Sequence, residues 1–268
     1  MAKIELDKYY TPPDLAKYVV IKTKEVIGEN NITEYIEPSA GAGVFLDYLD
    51  ESYMAYDIEP EDNRILKQDY LTVDLDYKKG RCVIGNPPFG SRNTLLVKFF
   101  KKSIEMCDYI AFILPLSQLN NNNQMYQFDL IYSEDLGWHI YSGVKLNCCL
   151  NIFKRPKNGL NKKPDYKLKD IDVIEYRRGN NKEIDVSDFD IGICTYGKGI
   201  IGRIPKEKGY YVKEMYFKIN NIKYREQIIS IIKDTDWEKV ICNGSSGQFN
   251  LTQWQVYKYI KEKIPEIN

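Results

Sequence analysis

Short apolar runs typical of β-strands alternate with helical patterns over residues 1–155, and this alternation limits the fold more than any other feature of the sequence. A continuous apolar run, such as the one at 109–114, is expected of a strand that is buried on both faces. Strands that alternate with helices predict a doubly wound, parallel α/β sheet of Rossmann-like type. The strand-like runs lie at 35–36, 53–56, 81–84, 109–114 and 148–153, and the helical patterns at 13–27, 44–49 and 95–106.

The composition changes after residue 154. Residues 154–182 contain ten basic residues together with several Pro and Gly, which predicts a positively charged loop or linker. Beyond it, strand-like runs at 190–197, 199–204 and 209–219 precede helical patterns at 224–233 and 252–263. We therefore predict two domains, a first at 1–155 and a small mixed α/β lobe at 156–268.

Charge is distributed unevenly between the two halves of this formally neutral chain. Residues 1–150 hold 15 Lys and Arg against 22 Asp and Glu, a net −7, whereas residues 151–268 hold 23 against 16, a net +7. Such an asymmetry suggests that a polyanion meets the second half.

Cysteine and histidine usage argues against a metal site. None of the six cysteines is spaced C-x-x-C, and His139 is the only histidine. The pattern predicts buried, reduced thiols and no bound metal, and it argues against a Ser-His-Asp or Cys-His catalytic site with a second histidine to spare. No apolar run approaches the roughly 18 residues that span a bilayer, and no secretory signal is recognisable, so we expect a cytoplasmic protein without a membrane partner.

The segment Asn86-Pro87-Pro88-Phe89 follows the strand at 81–84, at the sheet edge where open α/β proteins bind ligands. The two prolines fix the backbone and remove two N–H donors. The Asn86 side-chain oxygen and the Pro87 carbonyl can together accept hydrogen bonds from one amino group, while Phe89 stacks on a flat ring. The motif thus predicts a receptor for an aromatic amine, although N-P-P-F alone is also compatible with a simple rigid turn.

Adenine N6 is an amine that needs such a receptor. Its lone pair is delocalised into the ring, so the nitrogen is a poor nucleophile. Two acceptors on its N–H bonds raise the electron density on nitrogen as it attacks. No side chain with a shifted pKa is required, which agrees with the near absence of histidine.

A glycine-rich turn follows the first strand. Gly41 and Gly43 allow the backbone to approach a ligand closely, although a G-x-G turn alone is compatible with any nucleotide. The preceding Glu37 would repel a pyrophosphate but suits a cation such as S-adenosyl-L-methionine. Asp57 ends the second strand, where a carboxylate can bind both ribose hydroxyls, with Glu59 as the alternative. Asp69 is placed to accept from a cofactor adenine amine, although an acid there is also compatible with simple solvation.

In this order the motifs resemble those of the gamma-group N6-adenine DNA methyltransferases of restriction–modification systems and phages. Residues 10–13 are similar to the T-P-P element of that group, residues 37–45 to its acid-Pro-x-x-Gly-x-Gly-x-Phe motif, and residues 86–89 to its [DNS]-P-P-[YFW] motif. The resemblance covers residues 1–155, and it implies that this domain binds S-adenosyl-L-methionine and transfers its methyl group to N6 of an adenine flipped out of double-stranded DNA. It implies catalytic roles for Asn86, Pro87 and Phe89, and cofactor binding by Thr11, Glu37, Ser39, Gly41, Gly43, Asp57, Asp69 and Asn86.

By the same resemblance, Phe89 stacks on one face of the target adenine and a second aromatic residue covers the other. Tyr141, shortly before the strand at 148–153, is the candidate, with Trp138 and His139 as rivals and a place in the core as the other interpretation.

The second half departs from the family, because it is small and matches no known recognition domain. The candidates for phosphate contacts are Lys154, Arg155, the basic residues at 157, 162 and 163, and Arg177-Arg178. The candidate for contacts to base edges is the loop at 243–248. Each is equally compatible with an ordinary solvated surface. A partner protein is the other source of target recognition.

Three alternatives stay open. Adenine-N6 methyltransferases of RNA and glutamine methyltransferases of proteins share N-P-P-[YF]. The glutamine enzymes usually carry an N-terminal helical domain, whereas only about 35 residues precede the glycine motif here. The third is a catalytically inactive nucleic-acid-binding protein, although the G-x-G turn and Asn86 are both intact.

Overall fold

The computed structural model describes residues 9–50, 52–179, 185–241 and 249–267. It divides into two compact units, Met1–Pro164 and Asp165–Asn268. The loop predicted at 243–248, and Cys242, lie outside the described residues.

The first unit is built on a seven-stranded sheet with the order β3-β2-β1-β4-β5-β7-β6. Strands β1 to β5 pair in parallel, whereas β7 runs antiparallel to both of its neighbours. This is a Rossmann-like α/β core, as the alternation in the sequence predicts. The strands are β1 Glu34–Glu37, β2 Tyr53–Asp57, β3 Leu66–Lys67, β4 Arg81–Gly85, β5 Tyr109–Pro115, β6 Asp129–Tyr141 and β7 Val144–Lys154.

Helices α1 (Pro13–Ile27) and α2 (Thr94–Met106) pack into two apolar layers of this unit. All seven residues of β5 are buried. Ala111 and Ile113 belong to the same core cluster as the buried face of α1, while Ile110 and Phe112 belong to that of α2. The two clusters bury both faces of β5, which explains its continuous apolar sequence.

The prediction of a helix at 44–49 is wrong. The chain forms consecutive turns there and a single 3₁₀ turn, Leu46–Tyr48. Gly43, whose φ of 76° is left-handed, directly precedes this segment, and β2 begins only ten residues after it. Too little chain remains for a helix that also returns to the sheet.

The second unit is a small mixed α/β fold. Its antiparallel sheet has the order β8-β10-β9, formed by β8 Ile171–Arg177, β9 Ile191–Cys194 and β10 Lys213–Ile219. Helices α3 (Arg225–Asp234), α4 (Trp237–Val240) and α5 (Gln253–Lys263) contribute to its core, where Trp237 is fully buried.

Two expectations for this region are wrong. The predicted linker at 154–182 contains β8, and the run at 199–204 forms turns in place of a strand. Gly199 and Gly202 both adopt left-handed conformations, so the chain reverses there: Cys194 N donates to Arg203 O at 2.8 Å and Gly202 N to Cys194 O at 2.9 Å.

Within the described ranges, no group of His, Cys, Asp and Glu side chains could hold a metal ion. The described cysteines are buried and form no disulfide bond. Among the helices described, none combines the length and apolar character needed to cross a membrane.

Candidate active site

A cavity of about 810 Å³ lies at the carboxyl ends of β1, β2 and β4. This is the sheet edge where ligands bind in open α/β folds, and the volume suits a ligand of cofactor size. Seven of the eight residues predicted to bind cofactor line it: Thr11, Glu37, Ser39, Gly41, Asp57, Asp69 and Asn86. The eighth, Gly43, forms the adjoining turn.

The glycine turn forms one wall of the cavity. Gly41 has a φ of 52°, and a side chain there would come within 3.2 Å of the Tyr10 ring. The Gly41 amide donates to Asp57 Oδ2 at 2.8 Å, and the Glu59 amide donates to Asp57 Oδ1 at 2.8 Å. These two bonds orient the Asp57 carboxylate and leave further lone pairs for a ligand hydroxyl. Asp57 lines the cavity and Glu59 does not.

Apolar side chains form part of the cavity lining. Leu71, Leu95 and Phe99 are among them, together with Asp69. Asp69 Oδ1 accepts from the Leu71 amide at 2.9 Å and so caps the 3₁₀ turn Tyr70–Thr72. An apolar slot beside a carboxylate suits a flat ring that carries an amino group.

Glu37, the last residue of β1, is a buried carboxyl group inside the cavity. It is 2% exposed, and its Oε2 has no hydrogen-bond partner. Burial raises the pKa of Glu37 well above its usual range; Asp57 adds to the effect and Arg64 opposes it. An unpaired buried carboxyl is costly unless a partner compensates it, so this position fits the cationic group of a ligand.

Hydrogen bonds to the N-terminal segment orient the Asn86 side chain. Its Nδ2 donates to the Tyr9 carbonyl and to Thr11 Oγ1, both at 3.2 Å. Because a backbone carbonyl can only accept, the amide nitrogen must face Tyr9, and Oδ1 is left for another donor. Ser39 Oγ donates to the Asn86 backbone carbonyl at 3.3 Å, which connects the N-P-P-F segment to the glycine turn.

Tyr10 also lines the cavity, and it was not among the site residues predicted from the sequence. Its hydroxyl donates to Glu61, and its amide donates to Ser142 Oγ at 2.8 Å. The Tyr9-Tyr10 pair directly before T-P-P was a usable signal, because paired aromatics next to a motif suggest contact. No pattern in the sequence pointed to Glu61.

Two of the predicted catalytic residues lie outside the cavity lining. Pro87 is buried, and Phe89 is half-buried and packs against the core cluster that contains α1. Pro88, between them, does line the cavity.

Tyr141 lies in the core. It is 1% exposed, belongs to the cluster that contains α1 and does not line the cavity. Burial raises the pKa of its hydroxyl. Tyr141 therefore takes a place in the core, the other interpretation of this residue, and its ring is not free to cover a base. Of its rivals, Trp138 is 53% exposed, and His139 Nε2 hydrogen-bonds with the Leu136 carbonyl at 2.8 Å.

Lys154 and Arg155, which were predicted to bind substrate, lie at the opposite end of the sheet from the cavity. Strand β7 is antiparallel to β5, so Lys154 pairs with Tyr109, the first residue of β5. Arg155 Nε and Nη2 donate to the Cys107 carbonyl at 3.0 and 2.8 Å, and Nη2 also donates to the Ile104 carbonyl. Arg155 therefore binds the carboxyl-terminal end of α2.

We expect Arg155→Met to lower the free energy of unfolding by about 2–3 kcal/mol, because hydrogen bonds from a charged donor to helix carbonyls are lost. Urea denaturation measures this. Lys154→Met, at the exposed neighbouring position, is the matched control and should change stability by less than about 0.5 kcal/mol. Equal stability of the Arg155→Met variant and the wild type would contradict the structural role.

No protein-family model matches the sequence. No curated protein sequence matches it either.

Several solved structures are similar to part of the chain. One is a proposed RNA methyltransferase from Pyrococcus horikoshii, with 16% identity, 58% of this chain and 90% of that chain covered, and a TM-score of 0.47. Another is the 23S rRNA methyltransferase ErmE, with 12% identity, 57% of this chain and 72% of that chain covered, and a TM-score of 0.42. A third is the tRNA m1G37 methyltransferase of M. jannaschii, with 17% identity, 60% of this chain and 54% of that chain covered, and a TM-score of 0.38. At these values the likeness does not extend to function, which must be argued from the site.

Proposed function

We propose that the chain is an S-adenosylmethionine-dependent methyltransferase that acts on N6 of adenine in DNA. The observation that carries this proposal is the Asn86 side chain, whose amide nitrogen is held by Tyr9 and Thr11 while its oxygen is left for a donor in the same cavity as Glu37. An oriented amide acceptor next to a cation-binding carboxyl group suits transfer from a cationic donor to an amine.

The residues of the cavity fit this cofactor. Glu37 has an unpaired buried oxygen for a positive charge, and Asp57 keeps lone pairs for ribose hydroxyls. The apolar slot beside Asp69 accepts the adenine ring. The cofactor supplies a methyl group activated by its bond to a positively charged sulfur.

Asn86 and Pro87 then act on the target amine. The Asn86 Oδ1 and the Pro87 carbonyl accept hydrogen bonds from its two N–H groups, which raises electron density on nitrogen and directs its lone pair away from them. Transfer is direct: the amine nitrogen would bond to the methyl carbon as the methyl–sulfur bond breaks, the sulfur would leave as a neutral thioether, and the nitrogen would lose one proton to solvent. No side chain serves as a covalent nucleophile, and the described cysteines are all buried.

DNA is the proposed substrate, with the adenine flipped out of the duplex to reach the site. The T-P-P element at 11–13, which resembles that of the DNA methyltransferases, favours a nucleic acid over a protein.

Phe89→Ala is expected to raise the KM for DNA and lower kcat, together about tenfold or more in kcat/KM, because an aromatic–base stack contributes about 1–3 kcal/mol. The Kd for cofactor should stay unchanged. Steady-state kinetics and calorimetry measure the two effects. Phe89→Trp, which preserves a stacking ring, is the control, and unchanged kinetics in Phe89→Ala would remove the stacking role.

Methyl transfer by the purified chain tests the proposal. We would supply labelled cofactor with duplex DNA, RNA or protein extract and identify the product by nucleoside and amino-acid mass spectrometry. N6-methyl-2′-deoxyadenosine is the expected product. Label in RNA or in glutamine alone would move the activity to those substrates, and cofactor binding without transfer would indicate an inactive binding protein.

A further inference from the structure

The loop that connects β9 to β10 exposes both basic and aromatic side chains. We call residues 195–212 the basic loop: it holds Lys198, Arg203, Lys206 and Lys208 against one acid, Glu207. Tyr210, 43% exposed, lies near its end. The second unit as a whole is nearly neutral, with 18 Lys and Arg against 16 Asp and Glu over residues 165–268, so the charge is concentrated locally.

A buried carboxylate fixes the tip of the basic loop. Glu214 is 0% exposed and accepts hydrogen bonds from the Gly209 amide at 2.8 Å, the Tyr211 amide at 2.6 Å and the Tyr216 hydroxyl at 2.7 Å. Burying a carboxylate is costly, and here backbone amides of an exposed turn compensate it. The tip is therefore held in one conformation before any ligand binds.

Two cations lie at Tyr210, one on its backbone and one near its ring. Arg178 Nη2 donates to the carbonyls of Gly209 and Tyr210, each at 2.8 Å. The Lys206 ammonium lies 5.8 Å from the centre of the Tyr210 ring. Within the part of the chain that the structure describes, no carboxylate forms an ion pair with Arg178, Arg203 or Lys206.

We propose that Arg178, Arg203, Lys206 and Tyr210 form a nucleic-acid-binding surface of the second unit. The cations bind backbone phosphates, and the Tyr210 ring packs on a sugar or base, since a preformed aromatic ring among unpaired cations is the arrangement that nucleic-acid strands bind. The inference rests on the proposed function, because it takes the substrate to be a nucleic acid.

Fluorescence anisotropy with labelled duplex DNA, single-stranded DNA and RNA tests this surface in the full chain, over a series of salt concentrations. Arg203→Ala/Lys206→Ala should weaken binding about tenfold or more and reduce the slope of log affinity against log salt by about 1.8, as expected for two lost phosphate contacts. Tyr210→Ala should weaken binding about fivefold or more. The control is Lys233→Ala/Lys258→Ala, which removes two lysines from α3 and α5 and should leave affinity and slope unchanged.

Two results would overturn the inference, and they are distinguishable. If the wild type binds duplex DNA or RNA and the loop variants bind it equally well, the basic loop is not the surface, while the proposed function stands. If the wild type binds none of the three probes, the nucleic-acid substrate fails as well. Calorimetric titration with S-adenosylmethionine should give the same Kd for all variants, which shows that the first unit is folded, and urea denaturation should give each variant the wild-type unfolding transition, which shows that the second unit is folded.

Discussion

Replacing Asn86 with alanine is expected to lower the rate of methyl transfer roughly 10²–10³-fold, because it removes an oriented acceptor that acts on the amine as it becomes a nucleophile. The cofactor Kd should change by no more than about threefold, since Asn86 Nδ2 bonds to Tyr9 and Thr11 and does not hold Glu37, Asp57 or Asp69, the carboxylates proposed to bind the cofactor. Single-turnover transfer and calorimetry separate the two quantities.

Two further variants make this test specific. Asn86→Asp keeps an acceptor oxygen but loses the donor to Tyr9 and Thr11, so it should retain more activity than alanine. Asn93→Ala, in the following loop, removes a 3.4 Å contact to Gln124 and should leave the rate unchanged. Transfer by Asn86→Ala within tenfold of wild type would refute the role assigned to this residue.

Glu37→Gln is expected to weaken cofactor binding about 10–100-fold, because a hydrogen bond to a charged group contributes about 1.5–3 kcal/mol. Glutamine preserves the shape of the side chain but cannot ionise. Calorimetry measures the Kd, and equal affinities of the wild type and the variant would contradict the assignment of Glu37 to a cationic group.

The raised pKa of Glu37 predicts a pH dependence for the wild type that Glu37→Gln should lack. The free protein holds the carboxyl protonated above the ordinary glutamate pKa of about 4.3. Its stabilising contribution is therefore present below that value and lost as pH rises through the raised folded pKa, a loss that Glu37→Gln should not show. A cationic ligand favours the ionised form, so binding should release a proton and affinity should increase with pH over this window.

Calorimetry in buffers of different ionisation enthalpy counts the protons released on cofactor binding. The wild type should release up to one more proton than Glu37→Gln at pH values below the raised pKa. Equal proton release by the two proteins would show that Glu37 does not change its protonation on binding.

The strands of the first unit could be predicted where burial leaves a simple pattern. Strand β5 reads as a continuous apolar run because both of its faces are covered. Strand β6 was missed because polar residues such as Ser133, Glu134 and Asp135 interrupt its 13 residues, and hydrogen bonds to β7 hold it in place. Long-range pairing of this kind leaves little trace in local sequence.

The candidate site was predictable to the extent that it follows strand ends. Glu37, Asp57 and Asn86 end or follow parallel strands, and such ends meet at one edge of the sheet. The basic residues Lys154 and Arg155 lie at the other edge, because the antiparallel direction of β7 reverses the rule. The orientation of the Asn86 amide depends on Tyr9 and Thr11, more than 70 residues away, and no local pattern could indicate it.

Single-molecule sequencing of DNA from a methylation-deficient bacterial host that expresses this chain tests the account most directly. Modified adenines should occur at a defined short motif in cells with the wild type and be absent from cells with Asn86→Ala. Unmodified DNA, from cells in which the wild-type protein is folded and binds S-adenosylmethionine, would contradict an adenine-N6 DNA methyltransferase that acts as this chain alone.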